Sequence, residues 1–112
     1  MPSIEFPNSV EFFSDLNNAI KGVDSIVVAV PSQNVREVLL IAKKSISTSK
    51  CIINIAKGIE NNSLMTMSEV INDVLKNKSN IVTLSGPSHA EEVIDKNPTA
   101  IVSSSKNLSL AK

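Results

Sequence analysis

Three runs of apolar, largely β-branched residues, each stopped by Pro or Gly, constrain this chain more than any other feature. They occupy residues 25–30, 51–56 and 81–85, and they stop at Pro31, Lys57-Gly58 and Gly86-Pro87. Continuous apolar runs of this length are typical of strands that are buried on both faces of a parallel sheet. The sequence therefore predicts an α/β fold with a mostly parallel sheet.

Amphipathic segments between these runs predict the connecting helices. Ser14 and Asp15 are candidate caps for a short helix that ends near Gly22. Residues 32–34 can cap a second helix, and Asn62 or Ser63 can begin a third. Their apolar stripes, at helical spacing, are Val35, Val38, Leu39 and Ala42, and Met67, Val70, Ile71, Val74 and Leu75. The alternation of strands and helices predicts helices on both faces of the sheet.

The last third of the chain continues this alternation. A turn is predicted over residues 77–80, ahead of the third strand. Ser88 is the predicted cap of a short helix that runs to Ile94. A fourth strand over residues 99–103 follows a connection short enough to return it in either direction.

Composition excludes several classes of function. Eleven basic residues balance eleven acidic ones, and 3% of residues are aromatic, so neither the charge nor the stacking platforms of a nucleic-acid binder are present. No apolar run approaches the roughly 20 residues that cross a bilayer, so no membrane insertion is expected. The single Cys51 favours a reducing compartment, and we expect a cytoplasmic protein. No Cys/His cluster has metal-ligand spacing, so no metal site is predicted.

The three strand ends are the candidate site, because ligands of parallel sheets bind outside the carboxyl ends of the strands. Lys57 directly follows an apolar run, where its ammonium group could reach a phosphate or carboxylate or polarise a carbonyl. A solvated charge at the end of a strand is the alternative interpretation, and the residues alone leave both open.

The turn at Gly86-Pro87-Ser88 is a second candidate, since a glycine and a following helix can present backbone amides to an anion. It can equally be an ordinary strand-to-helix turn with a serine cap. His89 has no partner fixed by spacing and is interpreted as a helix-surface histidine. Glu91 and Glu92 are neighbours that do not face each other on a helix, so they are interpreted as acids that complement its dipole.

Four stretches of the chain together resemble a known family. They are DSIVVAVPSQNVREVL at residues 24–39, INIAKGIE at 53–60, LSGPSHAEEV at 84–93 and NPTAIVSSS at 97–105. In this order and at this spacing they are similar to the bacterial NAD(P)-dependent glycerol-3-phosphate dehydrogenases. The resemblance implies an oxidoreductase that interconverts sn-glycerol 3-phosphate and dihydroxyacetone phosphate by hydride transfer with NAD or NADP. Such an enzyme supplies glycerol 3-phosphate for phospholipid synthesis.

The resemblance also implies roles for particular residues. Lys57 matches the family lysine that contacts both substrate and cofactor, and Gly86 and Ser88 match substrate-binding positions. Ala90 matches a cofactor contact. Pro31 and Ser32 resemble the wall beside the dinucleotide. No residue of the chain is assigned as the proton acceptor, because that family lysine lies in a C-terminal helical domain.

One family motif has no counterpart in these residues. The family begins with a strand and a Gly-x-Gly-x-x-Gly loop, which Gly22, Gly58 and Gly86 cannot form at their spacing. We therefore expect residues 1–112 to be the second half of an NAD(P)-binding Rossmann-like domain that lacks its first strands and this loop. Such a fragment should be inactive alone, and its exposed apolar edge strand favours a homodimer.

Three alternatives stay open at the level of sequence. The first is another Rossmann-type hydroxy-acid dehydrogenase. The second is a non-catalytic module that binds phosphate at the turn formed by residues 86–90. The third is a non-functional remnant, although nothing in the composition favours disorder.

Overall fold

The computed structural model describes residues 5–76 and 80–112, which form a four-stranded sheet with helices. The predicted turn over 77–80 therefore lies outside the described residues except for its last position. The elements in chain order are α1 (Leu16–Ala19), β1 (Ser25–Val28), α2 (Val35–Ala42), β2 (Cys51–Asn54), α3 (Met67–Leu75), β3 (Asn80–Ser85), α4 (Ala90–Ile94) and β4 (Val102–Ser104). A 3-10 turn at Ser32–Asn34 leads into α2.

The sheet has the strand order β1-β2-β3-β4. The first three strands pair in parallel, with Ile26 opposite Ile52 and Ile52 opposite Ile81. The fourth strand pairs with β3 antiparallel, with Leu84 opposite Ser103, which decides the direction that the sequence left open. The predicted mostly parallel α/β fold is confirmed.

Helices α2 and α3 cover one face of the sheet and form the core with it. Every residue of the predicted α3 stripe is buried, and so are Val35, Leu39 and Ala42 of α2, while Val38 is half-buried. Against them the sheet places Val28 and Ile52, with Ile26 and Ile81 packed alongside. Removing these apolar side chains from water is the main force that holds the helices on the sheet.

The other face of the sheet is covered unevenly. Its row Val27, Ile53 and Val82 runs across three paired strands, since alternate residues of a strand point to opposite faces. Exposure falls along this row, from 55% at Val27 to 5% at Val82. Further along the strands, Val93 of α4 borders the same cavity as Leu84. α4 thus borders this face of the sheet at the carboxyl end of β3. The first predicted strand is not buried on both faces, because Ser25 and Val27 are exposed.

The start of α3 corrects another prediction. The helix begins after Thr66, not at Asn62 or Ser63. The Thr66 side chain accepts from the backbone N–H of Glu69, and the Glu69 carboxylate accepts at 2.8 Å from the backbone N–H of Thr66. This reciprocal capping box satisfies helix amides that would otherwise be unpaired. The hydrogen bonds from Thr66, from its backbone first, lower the pKa of Glu69.

Candidate functional site

The parallel pairing of β1, β2 and β3 brings the turns that follow them to one edge of the sheet, as the sequence predicts. Two contacts tie these turns together. The Lys57 Nζ donates a 2.6 Å hydrogen bond to the carbonyl oxygen of Gly86, which links the ends of β2 and β3. On the other side, a Cβ at Gly58 would stand 3.0 Å from the Cβ and Oγ of Ser32, so the ends of β1 and β2 approach closely.

Lys57 is exposed and lies beside a cavity of about 530 Å³. The cavity is lined by Ile55, Lys57, Leu84, Ser85, Ser88, His89, Ala90, Val93, Thr99 and Ile101. An ammonium group has three N–H donors, and the bond to Gly86 uses one. The arrangement places a cation at the mouth of a largely apolar cleft, where it can bind an anionic or carbonyl oxygen.

Gly86 occupies a position that fits no side chain. A Cβ built there would overlap the carbonyl oxygen of Ala100 and approach the Cα of Ile101 to 3.0 Å. The backbone leading into β4 therefore packs directly on this turn. This close approach holds the carbonyl group that receives the Lys57 hydrogen bond.

The predicted role of Ser88 as a helix cap is wrong. The helix α4 begins at Ala90 with His89 as its N-cap, and it is five residues long. The extended backbone of His89 carries the chain past Ser88 before the helix starts. Ser88 is half-buried and lines the cavity beside Lys57, so it still lies within the candidate site.

The candidate residues divide into two groups. Lys57, Ser88 and Ala90 line one cavity, and Gly86 is joined to this group by the Lys57 hydrogen bond. Ser32, with Pro31 before it, lies on the other side of Gly58. Gly58 thus lies between these two groups.

Gln33 and Arg36 are neighbours of this site whose contacts the sequence does not predict. The Gln33 Nε2 donates to the carbonyl oxygen of Ile59 at 2.9 Å, and its Oε1 accepts from the backbone N–H of Asn61 at 3.0 Å. The signal in the sequence is faint: Gln33 is a candidate helix cap, and no motif marks Arg36. Their partners lie more than twenty residues away and become visible only in the fold.

Arg36 joins two acidic side chains. Its Nε and Nη2 donate to the two carboxylate oxygens of Glu60 at 2.9 Å each, and its Nη1 donates to Asp73 at 2.6 Å. The hydrogen bonds from Arg36 lower the pKa of Glu60, with a further contribution from the Ser63 hydroxyl that also donates to it. They lower the pKa of Asp73 as well, together with the hydrogen bond from Lys76. Because both acids hydrogen-bond to it, the pKa of Arg36 is raised above its usual value.

A second cavity, of about 560 Å³, lies between α3 and the strands β3 and β4. Its acidic side chains, Glu69 and Asp73, are engaged by Thr66 in the capping box and by Arg36. These partners give the two carboxylates structural roles. The cleft beside Lys57 is therefore the stronger candidate for a binding site.

Within residues 5–76 and 80–112, α3 is the longest helix at nine residues, and no helix there is long and apolar enough to cross a membrane.

Comparison with known protein families shows which family this chain belongs to. A family model described as the NAD-dependent glycerol-3-phosphate dehydrogenase N-terminus matches residues 1–111. The chain belongs to this family. The resemblance found in the four sequence stretches is therefore confirmed.

Several relatives of this glycerol-3-phosphate dehydrogenase family match nearly the whole chain. The glycerol-3-phosphate dehydrogenase [NAD(P)+] of Bacillus velezensis is 43% identical over all of the chain, which covers 33% of that protein. The protein of the same name from Syntrophomonas wolfei is 47% identical over 90% of the chain, which covers 30% of it. The chain thus spans about a third of the length of these relatives.

Solved structures of the family share the fold. The crystal structure of glycerol-3-phosphate dehydrogenase from Coxiella burnetii superposes with a TM-score of 0.87 at 31% identity. It covers 98% of this chain, and the chain covers 33% of it. The yeast Saccharomyces cerevisiae enzyme, at 24% identity, superposes with a TM-score of 0.80. The sheet and helices described above are thus a Rossmann-like arrangement that this family shares.

Proposed function

We propose that this chain supplies part of the active site of an NAD(P)-dependent glycerol-3-phosphate dehydrogenase. The observation that carries the proposal is the hydrogen bond from Lys57 to Gly86 across the carboxyl edge of the parallel sheet. It fixes a cation beside a cleft at the place where ligands of such sheets bind. In this proposal, residues 1–112 are the second half of the NAD(P)-binding domain.

The reaction moves a hydride between C2 of a three-carbon phosphate and the nicotinamide ring, which is the chemistry that NAD or NADP supplies when bound. In the direction of reduction, the carbonyl of dihydroxyacetone phosphate takes up a hydride and a proton and becomes an alcohol. Lys57 stabilises negative charge that develops on the substrate, since its ammonium group lies at the mouth of the cleft. Gly86 and Ser88 hold the substrate beside it.

The remaining site residues serve the cofactor in this proposal. Ala90 contacts the dinucleotide from the same cleft, and Lys57 contacts both ligands. Pro31 and Ser32 form a wall on the other side of Gly58. No residue of this chain takes the role of proton acceptor.

The cellular setting follows from the same proposal. The product glycerol 3-phosphate would serve phospholipid synthesis, and the enzyme would act in the cytoplasm. For residues 1–112 alone, the edge strand β1, in which Val27 is exposed, favours a homodimer.

The test is a chimera in which residues 1–112 replace the matching third of the Bacillus velezensis relative. We expect it to oxidise NADH when dihydroxyacetone phosphate is supplied. The substitution Lys57→Met should lower its kcat about 10²- to 10³-fold, as losing one donor to a developing charge does elsewhere. The matched control is Lys44→Met, since Lys44 is exposed and follows α2 at the opposite end of the sheet.

Two outcomes would contradict the proposal. One is a chimera that binds NADH but gives no turnover with dihydroxyacetone phosphate. The other is full activity after Lys57→Met. Binding of inorganic phosphate with no response to NADH would favour the phosphate-binding module instead. The 112-residue chain by itself should not oxidise NADH, and turnover by it would overturn that expectation.

A further inference from the structure

Lys57 stands next to a residue that does not restrain its own backbone. Gly58 has a backbone φ of +133°, a conformation that residues other than glycine rarely adopt. Glycine also leaves the chain more freedom than any other residue. The direction in which the chain leaves Lys57 must therefore be imposed by contacts that the following residues make.

Gln33 makes the first of these contacts. Its side-chain amide binds residues 59–61 at both ends, by donating to the carbonyl oxygen of Ile59 and accepting from the backbone N–H of Asn61. The two bonds, 2.9 and 3.0 Å long, resemble the way a neighbouring strand pairs with a backbone. One side chain thus fixes both the position and the rotation of this segment.

Arg36 makes the second contact, one helical turn further along. It binds both carboxylate oxygens of Glu60, a two-point geometry that fixes direction as well as distance. The same guanidinium donates to Asp73 of α3. Because Glu60 is only 9% exposed, its position is set by the packed helices and not by solvent.

We propose that Gln33 and Arg36 are positioning residues for Lys57: they hold residues 59–61 against the 3-10 turn and the start of α2, and so fix where the Lys57 ammonium group lies. The geometry has two anchors, these bonds on one side of Gly58 and the Lys57 to Gly86 hydrogen bond on the other. Without the bonds from Gln33 and Arg36, the flexible Gly58 allows Lys57 to move away from the carbonyl oxygen of Gly86. The role assigned to Lys57 rests on the proposed function, but its placement is measurable without any ligand.

The measurement is the carbonyl carbon shift of Gly86, which reports the hydrogen bond from Lys57. The chain has three glycines, so [1-13C]glycine gives three resonances. Labelling with 15N-proline then identifies Gly86, because only this glycine precedes a proline. The variant Lys57→Met defines the shift at which the bond is fully lost.

We expect Gln33→Leu to move the Gly86 resonance toward the Lys57→Met position. The bonded-to-free ratio should fall about threefold to tenfold, the factor that one hydrogen bond of ordinary net strength supplies. Arg36→Met should move the resonance in the same direction. If that variant fails to fold, Gln33→Leu still decides the matter, since Gln33 is exposed.

The matched control is Lys50→Met. Lys50 also braces the backbone through its side chain, by donating to the carbonyl oxygens of Ile20 and Val23. It precedes β2, at the opposite end of the sheet from Lys57. If the Gly86 resonance moved only because the fold is less stable, it would move in Lys50→Met too. If it moves because Lys57 is no longer positioned, it should stay in place in Lys50→Met.

A Gly86 resonance that stays in place in Gln33→Leu overturns the proposal, and so does one that moves equally in Lys50→Met. Failure of the proposed function is seen separately, as an inactive chimera with unaltered residues 1–112. That result would remove the substrate role of Lys57 and leave the Gly86 measurement as it stands.

Discussion

Arg36 binds Glu60 through both carboxylate oxygens, at 2.9 Å from Nε and 2.9 Å from Nη2. The pair links α2 to the segment after Lys57, and through Asp73 it also reaches α3. Three separate pieces of the chain thus meet at one guanidinium group. Loss of Arg36 would remove the cation that pairs with the Glu60 carboxylate.

The first prediction compares two cations that share Asp73. Arg36→Met should lower the urea midpoint of unfolding clearly, because Glu60, whose side chain is only 11% exposed, loses its charged partner. Lys76→Met should change the midpoint little, because Lys76 is 65% exposed and its 3.2 Å pair with Asp73 lies at the surface. Equal changes in the urea midpoint for the two variants would contradict the view that the Arg36–Glu60 pair stabilises the fold more than the Lys76–Asp73 pair.

The second prediction concerns pH. Hydrogen bonds from Arg36 hold the pKa values of Glu60 and Asp73 below their usual values of 4.5 and 3.8. The pKa values of Glu60 and Asp73 are lower in the folded chain than in the unfolded chain. Both acids therefore stabilise the fold at pH values above their usual pKa values. That contribution is lost as the pH falls through the folded values.

We therefore expect the urea midpoint to drop when the pH is lowered below about 4.5, the usual pKa of Glu60. The variant Glu60→Gln should weaken this dependence, since its side chain does not titrate. A midpoint that falls equally steeply in the variant would show that other acids dominate.

The third prediction tests where α3 begins. Thr66→Ala should lower the free energy of unfolding by about 1 kcal/mol, the usual effect of removing a helix cap. Asn62→Ala is the control, because it replaces the residue at which the sequence pattern placed the helix start. Urea unfolding of both variants gives the comparison, and a larger loss at Asn62 would restore the earlier start.

The fourth prediction concerns Gly86. A methyl group at this position overlaps the Ala100 carbonyl oxygen, and the backbone of residues 100–101 must shift to admit it. Overpacking of this kind costs about 1–3 kcal/mol, and we expect Gly86→Ala to lose that much stability.

Gly22→Asn is its control. Among the described residues, no atom beyond Gly22 and its two chain neighbours lies within 4 Å of a Cβ built on Gly22, and asparagine tolerates its φ of +77°. Urea unfolding should show a smaller loss for Gly22→Asn than for Gly86→Ala. Equal losses would mean that the turn at Gly86 can open without strain.

Local sequence patterns predicted the architecture because they depend on the chain itself. The apolar runs predicted three parallel strands, and the turns after them predicted that Lys57 and Gly86 would meet at one edge. The α3 stripe was correct at every position, since helical spacing alone decides which side chains share a face. Strand limits were less accurate, because Ala29, Val30, Ile55 and Ala56 are apolar yet lie beyond the paired segments.

The partners of polar side chains were decided by the tertiary structure. Ser63 was a candidate helix start, but its hydroxyl donates to Glu60, and the helix begins after Thr66. The contacts of Lys57 with Gly86 and of Arg36 with Glu60 and Asp73 join residues 24 to 37 positions apart. A hydrogen bond depends on distance and angle, which no sequence spacing fixes at such separations. The sequence by itself determined which elements form and which edge carries the site, and only the packing of α2 and α3 on the sheet decided which groups hold it together.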